Sequence, residues 1–214
     1  MKRLVLVGTL TAWFWTVPAA NAQSVIALWH MDEQAGTVMH DAVGGHNGTI
    51  HNAVLGLAGF RDYAYGFNGT NAYVSVASSP SLNPGSATFA IVSHVKFSVP
   101  PKTGDYDVVK KGDYGTSGGE YKVEILQSGQ AQCAFKGSAH YAQISGGPNL
   151  ATNRWYTVTC TKTATAVKLS VAGKTFVTSR VVGTIANTAP LGIAAGPGMD
   201  YYAGDLDEIQ LSKG

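Results

Sequence analysis

An all-β chain, folded as an antiparallel β-sandwich, is what three features of this sequence predict. Only 13% of the 214 residues are charged while 26 are glycine, and the straight-chain helix formers are scarce beside Val, Thr, Ser and Tyr. Short runs of alternating or apolar β-formers recur at roughly 8 to 12 residue intervals, the spacing of a sandwich. No stretch carries the periodicity of an amphipathic helix.

In chain order the runs that read as strands are 25–29, 48–52, 64–68, 72–77, 88–97, 106–111, 120–127, 130–136, 141–145, 155–162, 166–171, 174–179, 191–194 and 204–212. Turn signals lie between them: Gly44-Gly45, Asn47-Gly48, Asn68-Gly69, Pro84-Gly85, Pro100-Pro101, Gly118-Gly119, Gly146-Gly147-Pro148 and Gly196-Pro197-Gly198. Alternation is clearest at 88–97, where Phe89, Ile91, Ser93, Val95 and Phe97 share one face and Ala90, Val92, His94 and Lys96 the other. At 120–126 it groups Tyr121, Val123 and Ile125 against Glu120, Lys122 and Glu124. So many strands in one domain's length of chain form a single two-layer sandwich. No internal repeat, low-complexity tract or linker divides residues 23–214.

Residues 1–22 read as a secretory signal peptide: Lys2 and Arg3, an apolar run from Leu4 to Val17, then Ala20-Asn21-Ala22. The mature chain, 23–214, is expected to be secreted and has no apolar stretch approaching the ~20 residues of a membrane span. Removing Lys2 and Arg3 leaves 13 basic residues against 13 acidic ones. A neutral chain without a basic run longer than Lys110-Lys111 lacks the counterion release that drives nucleic-acid binding. Cys133 and Cys160, an even pair in an exported chain, are expected to form a disulfide rather than two buried thiols. Neither has histidines at zinc-ligand spacing.

A profile of landmarks then appears. Ala27-Leu28-Trp29-His30-Met31-Asp32-Glu33 reads as a first strand ending in Asp-Glu, followed by Asp41 and Gly44-Gly45-His46-Asn47-Gly48-Thr49. Next come Tyr65-Gly66-Phe67-Asn68-Gly69 with Tyr73-Val74-Ser75-Val76, Asn153-Arg154-Trp155-Tyr156-Thr157-Val158, Val171-Ala172-Gly173-Lys174, and the closing Tyr202-Ala203-Gly204-Asp205-Leu206-Asp207-Glu208-Ile209. In this order, from about residue 25 to 211, they resemble the laminin G-like, concanavalin A-like lectin/glucanase jelly rolls. The resemblance implies a concanavalin A-like jelly roll. It fixes no single activity, since the family includes sugar-binding modules, adhesion domains and enzyme accessory domains.

The resemblance also implies a structural calcium between the first and last strands, with Asp32 and Asp207 as ligands and Asp41, Asn47 and Asp205 as neighbours. Calcium takes six to eight oxygens, many of them carbonyls that a Gly-rich loop can supply. The alternative is that Asp32 caps a turn and Asp207 accepts from a backbone amide. His30, His40, His46 and His51 are clustered but match no zinc spacing.

For a ligand, the polar faces of 88–97 and 120–126 are expected to neighbour one another in a curved sheet, where this fold holds its ligand. His94, Lys96, Lys122, Glu124 and Lys110 would then form the polar floor. Tyr106, Tyr114 and Tyr141 would supply aromatic faces for pyranose rings. Trp29 and Trp155 fall at family core positions. An ion-paired, solvated sheet face is the plainer account of the same stripe.

The related glucanases carry Glu-x-Asp-x-Glu on one strand. Here Glu120 and Glu124 flank Lys122, so the paired acids of glycoside hydrolysis are not reproduced. Phe135-Lys136-Gly137 with Tyr141-Ala142-Gln143 resembles a strand of jelly-roll alginate lyases, which would give His94, Lys136, His140 and Tyr141 proton-transfer and carboxylate-neutralising roles. The partner Gln-x-His segment is missing. The expectation is a secreted, non-catalytic module for an extracellular glycan or protein partner, with a polysaccharide-degrading enzyme and a structural or adhesion module as alternatives.

Overall fold

The computed structural model describes residues 23–195 and 200–214; the leader read at 1–22 lies outside them. The strands are β1 (Ser24–Trp29), β2 (Val38–Met39), β3 (Gly48–His51), β4 (Val54–Ala58), β5 (Tyr63–Asn68), β6 (Tyr73–Val76), β7 (Phe89–Phe97), β8 (Asp105–Lys111) and β9 (Glu120–Leu126). They continue as β10 (Ala131–Lys136), β11 (Tyr141–Gly146), β12 (Tyr156–Lys162), β13 (Val167–Val171), β14 (Lys174–Thr178), β15 (Leu191–Ile193) and β16 (Ala203–Lys213). One 3₁₀ turn, Pro80–Leu82, is the helical element among the described residues.

Two eight-stranded antiparallel sheets pack face to face as a sandwich consistent with the concanavalin A-like jelly roll. Sheet A runs β14-β13-β12-β7-β16-β5-β4, with β1 paired to β16; sheet B runs β11-β10-β9-β8-β15-β6-β3-β2. Alternation makes the core. Phe89, Ile91, Val95 and Phe97 of β7 and Tyr121, Val123 and Ile125 of β9 are all fully buried, each such side chain contributing roughly 1.5–3 kcal/mol. Phe89 meets Tyr121 across the sandwich, ring centroids 5.0 Å apart. Two strands carry no signal of their own: β2 is two residues long, and β4 (Val-Leu-Gly-Leu-Ala) neither alternates nor is bounded by strong turns.

Cys133 of β10 and Cys160 of β12 form a disulfide with Cα atoms 5.5 Å apart, which ties sheet B to sheet A through the core. Gly118 and Gly119 open β9 at φ 85° and 87°. A Cβ at either would lie 1.9 Å from a carbonyl oxygen, that of Ala186 or of Lys136, so only glycine lets β9 enter beside β10.

Candidate functional site

The outer face of sheet B gathers charge by register. Asp107 faces Glu124 and Lys110 faces Lys122 between β8 and β9. Glu124 faces Gln132 and Glu120 faces Lys136 between β9 and β10, and Lys136 faces Tyr141 and Ala134 faces Gln143 on β11. Lys122 ion-pairs with Glu124, and Gln132 Nε2 donates to Glu124 Oε2 at 2.7 Å. Lys110 bridges Asp107 at 3.1 Å and Asp113 at 2.9 Å. These groups shield one another: Asp107 and Glu124 have no exposed surface, and Glu120 and Lys110 have almost none. Aromatic rings stand at one edge. Tyr114 is 64% exposed, packs perpendicular to Tyr141 with centroids 5.3 Å apart, and carries Lys136 Nζ 3.8 Å above its ring.

Crowding of acids away from water shows in the protonation of this face. Burial pushes the Asp107 carboxyl up to about 7 against the pull of Lys110, and burial raises Asp105, Glu120 and Asp200 as well. For Lys110 and Lys122 burial disfavours the ammonium, yet the neighbouring carboxylates hold both above the ordinary lysine value.

Where this face reaches the end of the sandwich it runs into a cavity of about 540 Å³, lined by Asn68, Lys102, Asp105, Tyr106, Asp200 and Tyr201 among others. Asp105, Asp107 and Asp200 bring carboxylate oxygens within 4.8 Å of one another there. Sequence reasoning missed this acidic end. Asp107 was hidden by a bulge between Asp107 and Val109, which breaks the alternation of β8 and lets Asp107 and Lys110 share the outer face. Lys111 turns inward, fully buried, and donates to Asn187 O at 2.9 Å and Asn187 Oδ1 at 2.8 Å.

Of the residues expected to form one floor, Lys110, Lys122, Glu124 and Tyr141 come together. His94 and Lys96 do not join them: β7 lies in sheet A between β12 and β16, so its polar face looks out from the opposite side of the sandwich. His94 stacks on Phe60, centroids 4.0 Å apart, and Lys96 pairs with Asp205 at 2.6 Å. Burial lowers the His94 pKa. Tyr106 is also displaced, its ring packed edge-on against the core Tyr202 and reaching solvent only at the cavity wall. Trp29 is fully buried, but Trp155 is not a core residue. It precedes β12 on the outer face of sheet A, half-exposed, with Lys96 Nζ 5.2 Å from its ring.

Asp32 and Asp207 meet on one turn, the tip between β4 and β5. Asp207 Oδ2 accepts from Arg61 N at 2.8 Å, and Asp32 Oδ1 accepts from Tyr63 N at 3.0 Å. Asp41 is likewise filled by the amides of Leu28, Val43, Gly44 and His46. The amides of Tyr63 and Arg61 occupy one oxygen each of Asp32 and Asp207. Asp207 Oδ1 has no hydrogen-bond partner, which matches a carboxyl that burial pushes up to about 6. Asp32 and Asp207 thus hold the tip through its amides, the turn-capping arrangement. The clustered histidines have local partners too: His30 bonds Glu208, His40 bonds Glu33, His46 bonds Ser81 and His51 stacks on Tyr73.

A family model described as the concanavalin A-like lectin/glucanases superfamily matches residues 68–214. No curated protein matches the chain. Among solved structures, the binding domain of Paraclostridial Mosquitocidal Protein 1 superposes with TM-score 0.68 at 16% identity, covering 87% of this chain and 48% of that one. Domain 4 of AbnA, a GH43 extracellular arabinanase from Geobacillus stearothermophilus, in complex with arabinotriose, gives 0.67 at 15%, covering 90% and 93%. The binding domain of Botulinum neurotoxin DC, in complex with rat synaptotagmin II, gives 0.64 at 13%, covering 88% and 48%. The chain thus spans about half the length of the two toxin structures. At these identities the likeness is one of fold.

Proposed function

We propose a glycan-binding function from one premise: the chain belongs to the concanavalin A-like lectin/glucanase superfamily. In this reading it is an extracellular module whose ligand lies on the outer face of sheet B. The observation that carries the reading is the Lys122–Glu124–Gln132 network, a shielded polar floor bordered by the Tyr114 and Tyr141 rings. Such a surface offers the Lys122 ammonium and the Gln132 amide, both held in place by the buried Glu124, to sugar hydroxyls, and apolar rings to the pyranose face. That the likeness extends to a domain holding arabinotriose supports a sugar; that it extends to one holding synaptotagmin keeps a protein partner as the rival. The disulfide and the leader pattern at 1–22 support secretion.

One observation favours a second reading, a polysaccharide-degrading enzyme: Asp107, proton-bearing up to a pKa of about 7, directly opposite Glu124. Glycoside hydrolysis uses a pair of carboxyls, one of them a proton donor. Against it, neither side chain has surface through which to touch a substrate. A panel of neutral, uronate and amino polysaccharides separates the readings, with affinity electrophoresis run beside assays for reducing ends and unsaturated products. Retardation without products is expected. Products overturn the binding reading in favour of the enzyme, and neither retardation nor products overturns both in favour of an adhesion module.

A further inference from the structure

We infer that the cavity at the end of the sandwich takes a protonated amino group, and that the glycan on sheet B is therefore one that carries free amines. This rests on the glycan reading and adds the class of sugar. The cavity is walled by carboxylates and tyrosines, the pairing that recognises ammonium through charge and through the π face together. Asp105 and Asp200 are its acids, with Asp107 directly behind them. Tyr201 and Tyr106 are its rings, and Tyr201 is backed by Tyr73 at 6.1 Å.

Charge decides the class. The lysines of the adjoining floor are already engaged, Lys110 by Asp107 and Asp113 and Lys122 by Glu124. Lys110 and Lys122 act on Asp105 and Asp200 through space, but neither acid forms an ion pair among the described residues, and Asp105 Oδ1 is buried without a hydrogen-bond partner. Lys102 alone of the cavity lining is basic. A uronate or sulfated sugar would bring a like charge to this end, and a neutral one would leave Asp105 and Asp200 sharing lysines that other carboxylates already engage. An ammonium pairs with it. The volume, about 540 Å³, lies within the range of small-ligand pockets and leaves room for the ring that bears the amine.

The experiment is calorimetry on the protein with three probes of equal length: glucosamine, N-acetylglucosamine and galacturonate oligomers. The glucosamine oligomer is expected to bind about tenfold more tightly than its acetylated twin at low salt. That preference should shrink as salt rises. Asp200→Asn and Asp105→Asn, each checked for an unchanged melting curve, should abolish the preference while leaving the affinity for the acetylated oligomer as it was. Equal affinities, a preference for galacturonate, or a preference that survives both substitutions overturns the amine inference and leaves the glycan reading standing. Failure of all three oligomers, and of the wider polysaccharide panel, overturns both.

Discussion

Asp107 and Glu124 are direct partners across β8 and β9, both on the outer face of sheet B and both without exposed surface. Two acids so placed cannot both hold a charge comfortably, and Asp107 is the one that burial pushes up to about 7. Between the unfolded value near 3.8 and this folded value, the native state holds a proton that the unfolded chain has lost. Stability from this group is therefore full below pH 4 and falls as pH rises toward 7. Asp207, pushed up to about 6, has the same sign. The melting temperature should fall between pH 4 and 7, and Asp107→Asn should flatten the dependence by up to about 1.4 kcal/mol per pH unit. Calorimetric melts across that window check it; an unchanged slope in the variant refutes the assignment.

Separation of His94 from Glu124 by the thickness of the sandwich gives a second test. Glu124→Gln keeps the shape but removes the charge that holds Lys122, and should weaken glycan retardation at least about tenfold, the scale of losing a charge-assisted hydrogen bond. His94→Ala should leave retardation unchanged, because its ring faces Phe60 on the other sheet. Loss of binding in His94→Ala would move the site to sheet A.

Linking β10 to β12 across the core, the disulfide closes a loop of 27 residues in sequence separation. The chain-entropy relation puts its contribution at about 3–4 kcal/mol. Cys133→Ser with Cys160→Ser should melt roughly 6–16 °C lower by the size scaling for such a domain. A shift below a degree would mean the reduced chain is as constrained as the oxidised one.

Calcium is tested by melting in chelator and in excess calcium. With Asp32 and Asp207 both accepting backbone amides of the β4–β5 tip, the two curves should coincide. A rise of several degrees in calcium that Asp32→Asn removes would restore these residues as ligands. A rise that Asp32→Asn leaves intact would direct the search to Asp105, Asp107 and Asp200.

Alternation was enough to read the inner faces. Phe89, Ile91, Val95 and Phe97, and likewise Tyr121, Val123 and Ile125, are buried as their spacing predicts, because side-chain direction along a strand is fixed by the local backbone. The cysteine pairing was legible for a different reason: only two cysteines exist. Local reasoning failed where the backbone departs from regularity. The bulge after Asp107 puts Asp107 on the outer face together with Lys110 and turns Lys111 inward, and no residue type announces it.

Legible in the order of residues, therefore, are the strands other than β2 and β4, the core face of the regular ones and the family of the fold. The tertiary structure alone decided which polar faces meet. Alternation says that His94 and Glu124 each point outward, but not from which sheet; that depends on the chain crossing from β7 in sheet A to β8 in sheet B. Strand neighbours are chosen by burial and loop closure across the whole domain, which act between residues far apart in the chain and leave no period in its order.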